Sequence, residues 1–152
     1  MACALSDVDY MYLALAEAEK AFSRESVPVG AVIVFNNEVI ASSGNEVEKN
    51  KLVTCHAEMV AIQRASEKLN QKFLTECSIY VTLEPCAMCA QAISLARFKS
   101  LYFGAYDQKY GAVVNGCHVF QYALHKPTIT GGILEQECAE ILRRFFVRLR
   151  SK

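Results

Sequence analysis

Two short stretches of this chain hold side chains whose types and spacing suit a metal ion. One is His56-Ala57-Glu58, and the other is Pro85-Cys86-Ala87-Met88-Cys89. An imidazole and two thiolates can hold zinc and leave its fourth coordination position for water. Because the two cysteines are three residues apart, both thiolates point the same way in a first helical turn. The sequence therefore predicts a catalytic zinc site with His56, Cys86 and Cys89 as its ligands.

The carboxylate of Glu58 follows the histidine by two residues, where it can move the protons of a zinc-bound water. Zinc with these ligands lowers the pKa of its water to about 7. The predicted chemistry is attack of hydroxide on an amidine carbon, followed by loss of ammonia from a tetrahedral intermediate. Glu58 would act first as general base and then as general acid.

The same residues allow a second interpretation, in which the thiols never meet His56 or the zinc is purely structural. A structural site needs a fourth protein ligand. Cys55 is adjacent to His56 and would point elsewhere on a helix, so the serious candidates are Cys117 and His118. A protein of that kind would be a non-enzymatic zinc module that binds RNA or a partner. Either pattern alone, Cys-x-x-Cys or His-x-Glu, is weak evidence for a metal site. The two patterns together favour the catalytic site.

Each half of the predicted metal site lies at a predicted helix start. Residues 55–69 have apolar positions at helical spacing, which places His56 and Glu58 in the first turn. Pro85 ends a predicted strand and can open a helix near Cys86, where its missing N–H costs little. A helix start offers free N–H groups and a partial positive charge, and both suit a bound hydroxide.

The other elements alternate between helix and strand. A two-residue Asn36-Asn37 turn makes the first two strands antiparallel. Strands are predicted over residues 30–35, 39–42, 78–83, 99–104 and 127–131. Loops are predicted over residues 45–54 and 106–116. Further helices are predicted from Ser6 to about residue 26 and over residues 134–150. This order predicts one α/β domain, residues 1–152, with helices on both faces of a sheet. Leu134, Cys138, Ile141, Phe145 and Leu149 are predicted to face inward on the last helix.

Composition limits the class of protein. Hydrophobic residues make up 53% of the 152, yet no apolar run reaches the roughly 18 residues of a membrane span. The first five residues do not resemble a signal or transit peptide. Seven cysteines, an odd number, read as metal ligands and core residues rather than a disulfide framework. We therefore expect a cytoplasmic protein with no membrane partner.

Charge is balanced overall but unevenly distributed. Residues 143–152 contain five basic residues and no acid, so the other 142 residues hold 11 bases and 16 acids, a net charge of −5. A basic C-terminal segment on an otherwise acidic chain can bind phosphate groups. A helix face exposed to solvent has the same composition.

The motifs together resemble one family, the bacterial tRNA-specific adenosine deaminases, which make inosine at the wobble position of the anticodon. The H-x-E and P-C-x-x-C pattern is common to zinc-dependent nucleobase deaminases. The tRNA enzymes are indicated by residues 103–112, Phe-Gly-Ala-Tyr-Asp-Gln-Lys-Tyr-Gly-Ala, and by the Phe145-Phe146 and arginine ending. Tyr106 departs from the arginine common in relatives and leaves an aromatic ring that can stack on a base.

The resemblance implies a cytidine-deaminase-like, three-layer α-β-α sandwich around a mixed five-stranded sheet. It also implies one zinc ion per subunit, a homodimer, and a tRNA anticodon stem-loop as the partner. Asn45 would hydrogen-bond the flipped adenine, Val27, Pro28 and Leu83 would shape its pocket, and Asp107 would contact the RNA backbone. The candidate RNA contacts are Tyr106, Lys109, Phe146, Arg148 and Arg150. The alternative substrate is a free base, guanine or cytosine.

Overall fold

The computed structural model describes residues 3–152, so the first two residues of the N-terminal stretch lie outside it. The helices are α1 (Asp7–Ser23), α2 (Val47–Asn50), α3 (Ala57–Leu69), α4 (Ala87–Leu95) and α5 (Glu135–Arg150). The strands are β1 (Gly30–Phe35), β2 (Glu38–Gly44), β3 (Ser78–Leu83), β4 (Ser100–Ala105) and β5 (Thr128–Gly131). A short 3-10 turn, Val119–Gln121, lies between the last two strands. None of the helices in this described part is long and apolar enough to cross a membrane.

One mixed sheet organises these elements, in the order β2-β1-β3-β4-β5. β1 runs antiparallel to both of its neighbours, whereas β3, β4 and β5 are parallel. The turn between β1 and β2 contains Asn36 and Asn37, both at positive φ, as predicted. Helices α1 and α5 cover one face of the sheet, and α3 and α4 cover the other. The predicted three-layer α-β-α architecture is confirmed.

Alternate residues of the central strands supply the two cores, because successive side chains on a strand point to opposite faces. Val32, Val34 and Tyr80 pack toward α1 and α5. Ile33 and Ile79 pack toward α3 and α4. Since both faces of the sheet are covered, β1 is apolar along its whole length and shows no polar alternation.

Helix α1 lies very close to β1. Its N-terminus is a capping box, in which Ser6 and Asp9 exchange side-chain and backbone hydrogen bonds. Its buried face includes the small residues Ala14 and Ala18. A Cβ atom on Gly30 would overlap the carbonyl oxygen of Ala14 and the amide nitrogen of Ala18. Glycine at position 30 is therefore required by the helix backbone, which leaves no room for a side chain.

Three details differ from the sequence predictions. The loop predicted over 45–54 contains α2, a single helical turn that ends at Lys51 in the left-handed conformation. Helix α3 buries Ala61 and Ala65 along with its first turn. The larger apolar residues at helical spacing, Met59, Ile62 and Leu69, are only half-buried. Leu149, predicted to face inward, is exposed in the last turn of α5.

We expect the substitution Gly30→Ala to lower the free energy of unfolding by about 1–3 kcal/mol, because the new methyl group pushes α1 off β1. Urea denaturation followed by circular dichroism measures this. Ala16→Ser, on the exposed face of α1, is the control and should change the free energy by less than about 0.5 kcal/mol. Equal stability of Gly30→Ala and wild type would contradict the close approach.

Candidate metal and substrate site

Two of the predicted metal ligands lie immediately before the first residue of a helix. His56 is the N-cap of α3 and Cys86 is the N-cap of α4, and both have extended backbone conformations. Neither side chain caps its own helix. Their ring and thiol are therefore available to each other across the gap between α3 and α4.

These residues converge with Cys89, one turn further along α4. The Nδ1 atom of His56 lies 3.7 Å from the Sγ atom of Cys86 and 3.6 Å from that of Cys89. The three ligand atoms all lie within 4.8 Å of one another, and the group could hold a metal ion. Within residues 3–152 no fourth His, Cys, Asp or Glu joins this group. A four-ligand structural site is therefore not supported.

The other candidate ligands lie outside this group. The Sγ atom of Cys55 accepts a hydrogen bond from Nδ2 of Asn50, at 3.6 Å. Cys117 is exposed, and His118 begins the 3-10 turn. The adjacency of Cys55 to His56 does not bring its thiol to the metal group, because an N-cap and its neighbour point in different directions.

The protonation of the two thiols suits a metal ion. The hydrogen bond with Cys89, together with His56, lowers the pKa of Cys86 to about 4. The same hydrogen bond and burial raise the pKa of Cys89. The contact with Cys86 also raises the pKa of His56. Because only thiolates bind zinc, binding of the ion would compete with any proton on this pair.

Glu58 lies in the first turn of α3, beside the metal group, and is only 4% exposed. Burial raises the pKa of its carboxyl group. A carboxyl group whose pKa is moved toward neutrality can take up and release a proton in successive steps. The structure therefore places a group suited to proton transfer next to the three candidate metal ligands.

A cleft of about 790 Å³ opens over these residues. Nine residues singled out from the sequence line it: Val27, Asn45, His56, Glu58, Leu83, Cys86, Asp107, Lys109 and Phe146. The rest of the lining is Val29, Ala57, Glu84, Tyr110 and Leu142. The cleft joins residues from α3 and α5, which cover opposite faces of the sheet, with the loop after β4.

Two polar residues of the cleft are held by local turns. The Oδ1 atom of Asn45 accepts a hydrogen bond from the N–H of Val47, at 2.9 Å. The Oδ1 atom of Asp107 accepts from the N–H groups of Lys109 and Tyr110, each at 3.0 Å. Both side chains have the turn role that their residue types predict, and both also line the cleft.

Five of the residues singled out from the sequence are not part of the cleft lining. Pro28 is buried and lies in the sequence between the lining residues Val27 and Val29. Cys89 is also buried. Tyr106 packs edge-on against Phe103, with ring centroids 5.1 Å apart. Arg148 lies over the ring of Phe22, and Arg150 is exposed in the last turn of α5.

Sequence reasoning missed Glu84 and Tyr110. Glu84 is only 2% exposed although it is an acid at the end of a strand, and Tyr110 is 66% exposed at the mouth of the cleft. The position of Glu84, directly before Pro85 and Cys86, was the signal available in the sequence. For Tyr110 the signal was an aromatic residue beside Lys109 in a polar loop.

Comparison with known proteins identifies the family of the chain. The MafB19-like deaminase family matches residues 5–150. A tRNA-specific adenosine deaminase of Agrobacterium fabrum is 50% identical over 139 residues, which cover 90% of this chain and 91% of that protein.

Two solved structures resemble the chain. One, from biochemical and structural studies of A-to-I editing by tRNA:A34 deaminases at the wobble position of transfer RNA, superimposes with a TM-score of 0.86. It is 49% identical, covering 88% of this chain and 98% of the other. The guanine deaminase from Nitrosomonas europaea has a TM-score of 0.82 at 20% identity, covers 97% of this chain and 87% of that one, and shares the fold alone. On these grounds, the chain belongs to the family of tRNA-specific adenosine deaminases.

Proposed function

We propose that this protein hydrolyses adenosine to inosine at the wobble position of tRNA anticodons. The observation that carries the proposal is the buried Glu58 carboxyl group beside a three-ligand His/Cys/Cys group at the end of an open cleft. The Agrobacterium relative, half identical in sequence, is a tRNA-specific adenosine deaminase. An adenosine in an anticodon loop is already unpaired, so extruding it costs less than extruding a base from a duplex.

We propose that the cofactor is one zinc ion per subunit, held by His56, Cys86 and Cys89. Two thiol groups and an imidazole form a donor set that suits zinc, and their ligand atoms already lie within 4.8 Å of one another. When bound, zinc lowers the pKa of water and so supplies a nucleophile at neutral pH.

Glu58 is the proposed proton carrier. Its carboxylate accepts one proton of the attacking water and donates it to a ring nitrogen of the base. It then accepts the second proton, from the hydroxyl group of the tetrahedral adduct, and donates it to the amino group, which leaves as ammonia. Burial keeps bulk water from the carboxyl group and raises its pKa, so the protonated form persists between the two transfers.

The base pocket is proposed to consist of Asn45, Val27, Pro28 and Leu83. The Oδ1 atom of Asn45 is already engaged with Val47, and no group within residues 3–152 accepts a hydrogen bond from its Nδ2. The amide N–H₂ is therefore the part of Asn45 that is available to an acceptor atom of the adenine. Val27 and Leu83 contribute apolar walls of the cleft.

The RNA is proposed to cross the mouth of this cleft. Asp107, Lys109 and Phe146 line it, and Phe146 is 41% exposed, so its ring is open to stacking by a base. Tyr106, Arg148 and Arg150 lie outside the lining and are proposed as contacts to more distant parts of the anticodon stem-loop. We also propose a homodimer that acts in the cytoplasm, as the family resemblance implies.

The main experiment is inosine formation by zinc-loaded protein on transcripts of tRNAs with adenosine at the wobble position. Conversion should occur at that base, read as A-to-G in sequencing. Ammonia release from free guanine or cytosine, without inosine in tRNA, would overturn the proposal in favour of a small-molecule deaminase.

Glu58→Gln should lower the rate of inosine formation by about 10²–10⁴-fold, because the amide cannot carry the proton. Zinc content, measured by mass spectrometry of the metal, should remain at one per chain. Glu67→Gln, an exposed change on the same helix, is the matched control and should keep full activity. Wild-type rates in Glu58→Gln would exclude this residue as the proton carrier.

Cys89→Ser should abolish both zinc binding and activity, because removal of one thiolate leaves two protein ligands. Cys117→Ser is the matched control, since Cys117 is exposed and lies outside the metal group. Its zinc content should equal that of wild type. Loss of zinc from Cys117→Ser would instead indicate a fourth protein ligand and a structural site.

Asn45→Asp should keep the turn, because the carboxylate can still accept from Val47, but it removes the N–H₂ donor. The catalytic efficiency on the anticodon stem-loop should fall by about 10–100-fold, the equivalent of one or two lost hydrogen bonds. Thermal denaturation should show little change. If Asn45→Asp retains wild-type efficiency, Asn45 serves only the turn.

A further inference from the structure

Glu84 has an unusual environment for a carboxylate. It follows β3 directly, precedes Pro85 and the metal ligand Cys86, and is only 2% exposed. None of the ion pairs within residues 3–152 includes it. A buried carboxylate without a cation depends on hydrogen-bond donors for its stabilisation.

The donors all come from one loop, residues 106–116. The Oε2 atom accepts from the backbone N–H groups of Val113, Val114 and Asn115, at 3.1, 3.0 and 3.0 Å. The Oε1 atom accepts from the N–H of Asp107 at 3.1 Å and from Nδ2 of Asn115 at 2.7 Å. One side chain therefore fixes both ends of the loop.

The loop in turn carries the outer wall of the cleft. The N–H of Asp107 donates a hydrogen bond to Glu84. The carboxylate of Asp107 in turn accepts hydrogen bonds from the N–H groups of Lys109 and Tyr110. All three loop residues line the cleft. The hydrogen bonds thus run from Glu84, beside the metal group, through Asp107 to the backbone N–H groups of Lys109 and Tyr110 at the mouth.

The loop closes tightly around this carboxylate. A Cβ atom on Gly111 would lie 2.5 Å from Cδ of Glu84, so position 111 admits only glycine while Glu84 is in place. The N–H of Ala112 donates to the carbonyl of Pro85 at 2.9 Å, which adds a backbone link between the loop and the metal-binding turn.

We infer that Glu84 is a positioning residue, which fixes the substrate-facing loop 107–110 relative to the metal group. It touches neither base nor metal in this role. Its effect is preorganisation: a loop already held in its bound shape loses less conformational freedom when RNA binds. The inference rests on the proposed function, because its substrate is the anticodon stem-loop.

The test is Glu84→Gln, measured on zinc-loaded protein. The amide keeps the size of the side chain but turns one acceptor oxygen into a donor that faces N–H groups. We expect the KM for an anticodon stem-loop to rise about tenfold or more, while kcat changes by less than about threefold. Amide hydrogen exchange should accelerate across residues 107–115, with zinc content unchanged.

Asn115→Ala is the milder companion, because Asn115 is outside the cleft lining and its side chain supplies one of the five hydrogen bonds. It should shift KM and exchange in the same direction by a smaller factor. It also keeps the test open if Glu84→Gln fails to fold. Wild-type KM and exchange rates in both variants would overturn the inference, and so would loss of zinc from folded Glu84→Gln.

Failure of the proposed function can be told apart from failure of this inference. If wild-type protein makes no inosine in any tRNA, the proposed function fails. Hydrogen exchange and zinc content still report whether Glu84 holds the loop, since neither measurement needs a substrate.

Discussion

The candidate site depends on two helices whose N-caps, His56 and Cys86, carry side chains that could bind a metal ion. At a helix start the backbone changes from extended to helical, which turns the side chain of the N-cap away from its own helix. His56 and Cys86 both have this geometry, and neither side chain makes a capping hydrogen bond to its own helix. The packing of α3 and α4 on one sheet face therefore brings the imidazole and thiols together. Small buried residues in α3, such as Ala61 and Ala65, permit that close packing.

The lining of the cleft comes from two different parts of the chain. The metal group and Glu58 belong to helix starts on the rigid sheet. The outer wall belongs to the loop after β4 and to Leu142 and Phe146 of α5. Rigid elements hold reacting groups more accurately than loops do, whereas loops tolerate changes in sequence. The same fold also occurs in a guanine deaminase at 20% identity.

Much of the fold was predictable because periodicity and local chemistry agreed. Strand β1 and the asparagine turn after it follow directly from β-branched residues and from the tolerance of Asn for positive φ. The metal group was predictable from spacing alone. The short helix α2 was not, since four residues give no periodicity. The hydrogen bonds of Glu84 could not be predicted either, because they join β3 to a loop 23–31 residues away. Which side chains of α5 face the cleft depends likewise on tertiary packing.

The walls of the cleft come from helices on opposite faces of the sheet, α3 with His56 and Glu58, and α5 with Leu142 and Phe146. An occupant that touches both walls would hold the two outer layers of the sandwich to each other. Its binding free energy would then add to the cohesion of the native state by mass action. Melting temperature would rise with occupancy, so a panel of RNA loops could be ranked by heat denaturation alone, without any turnover.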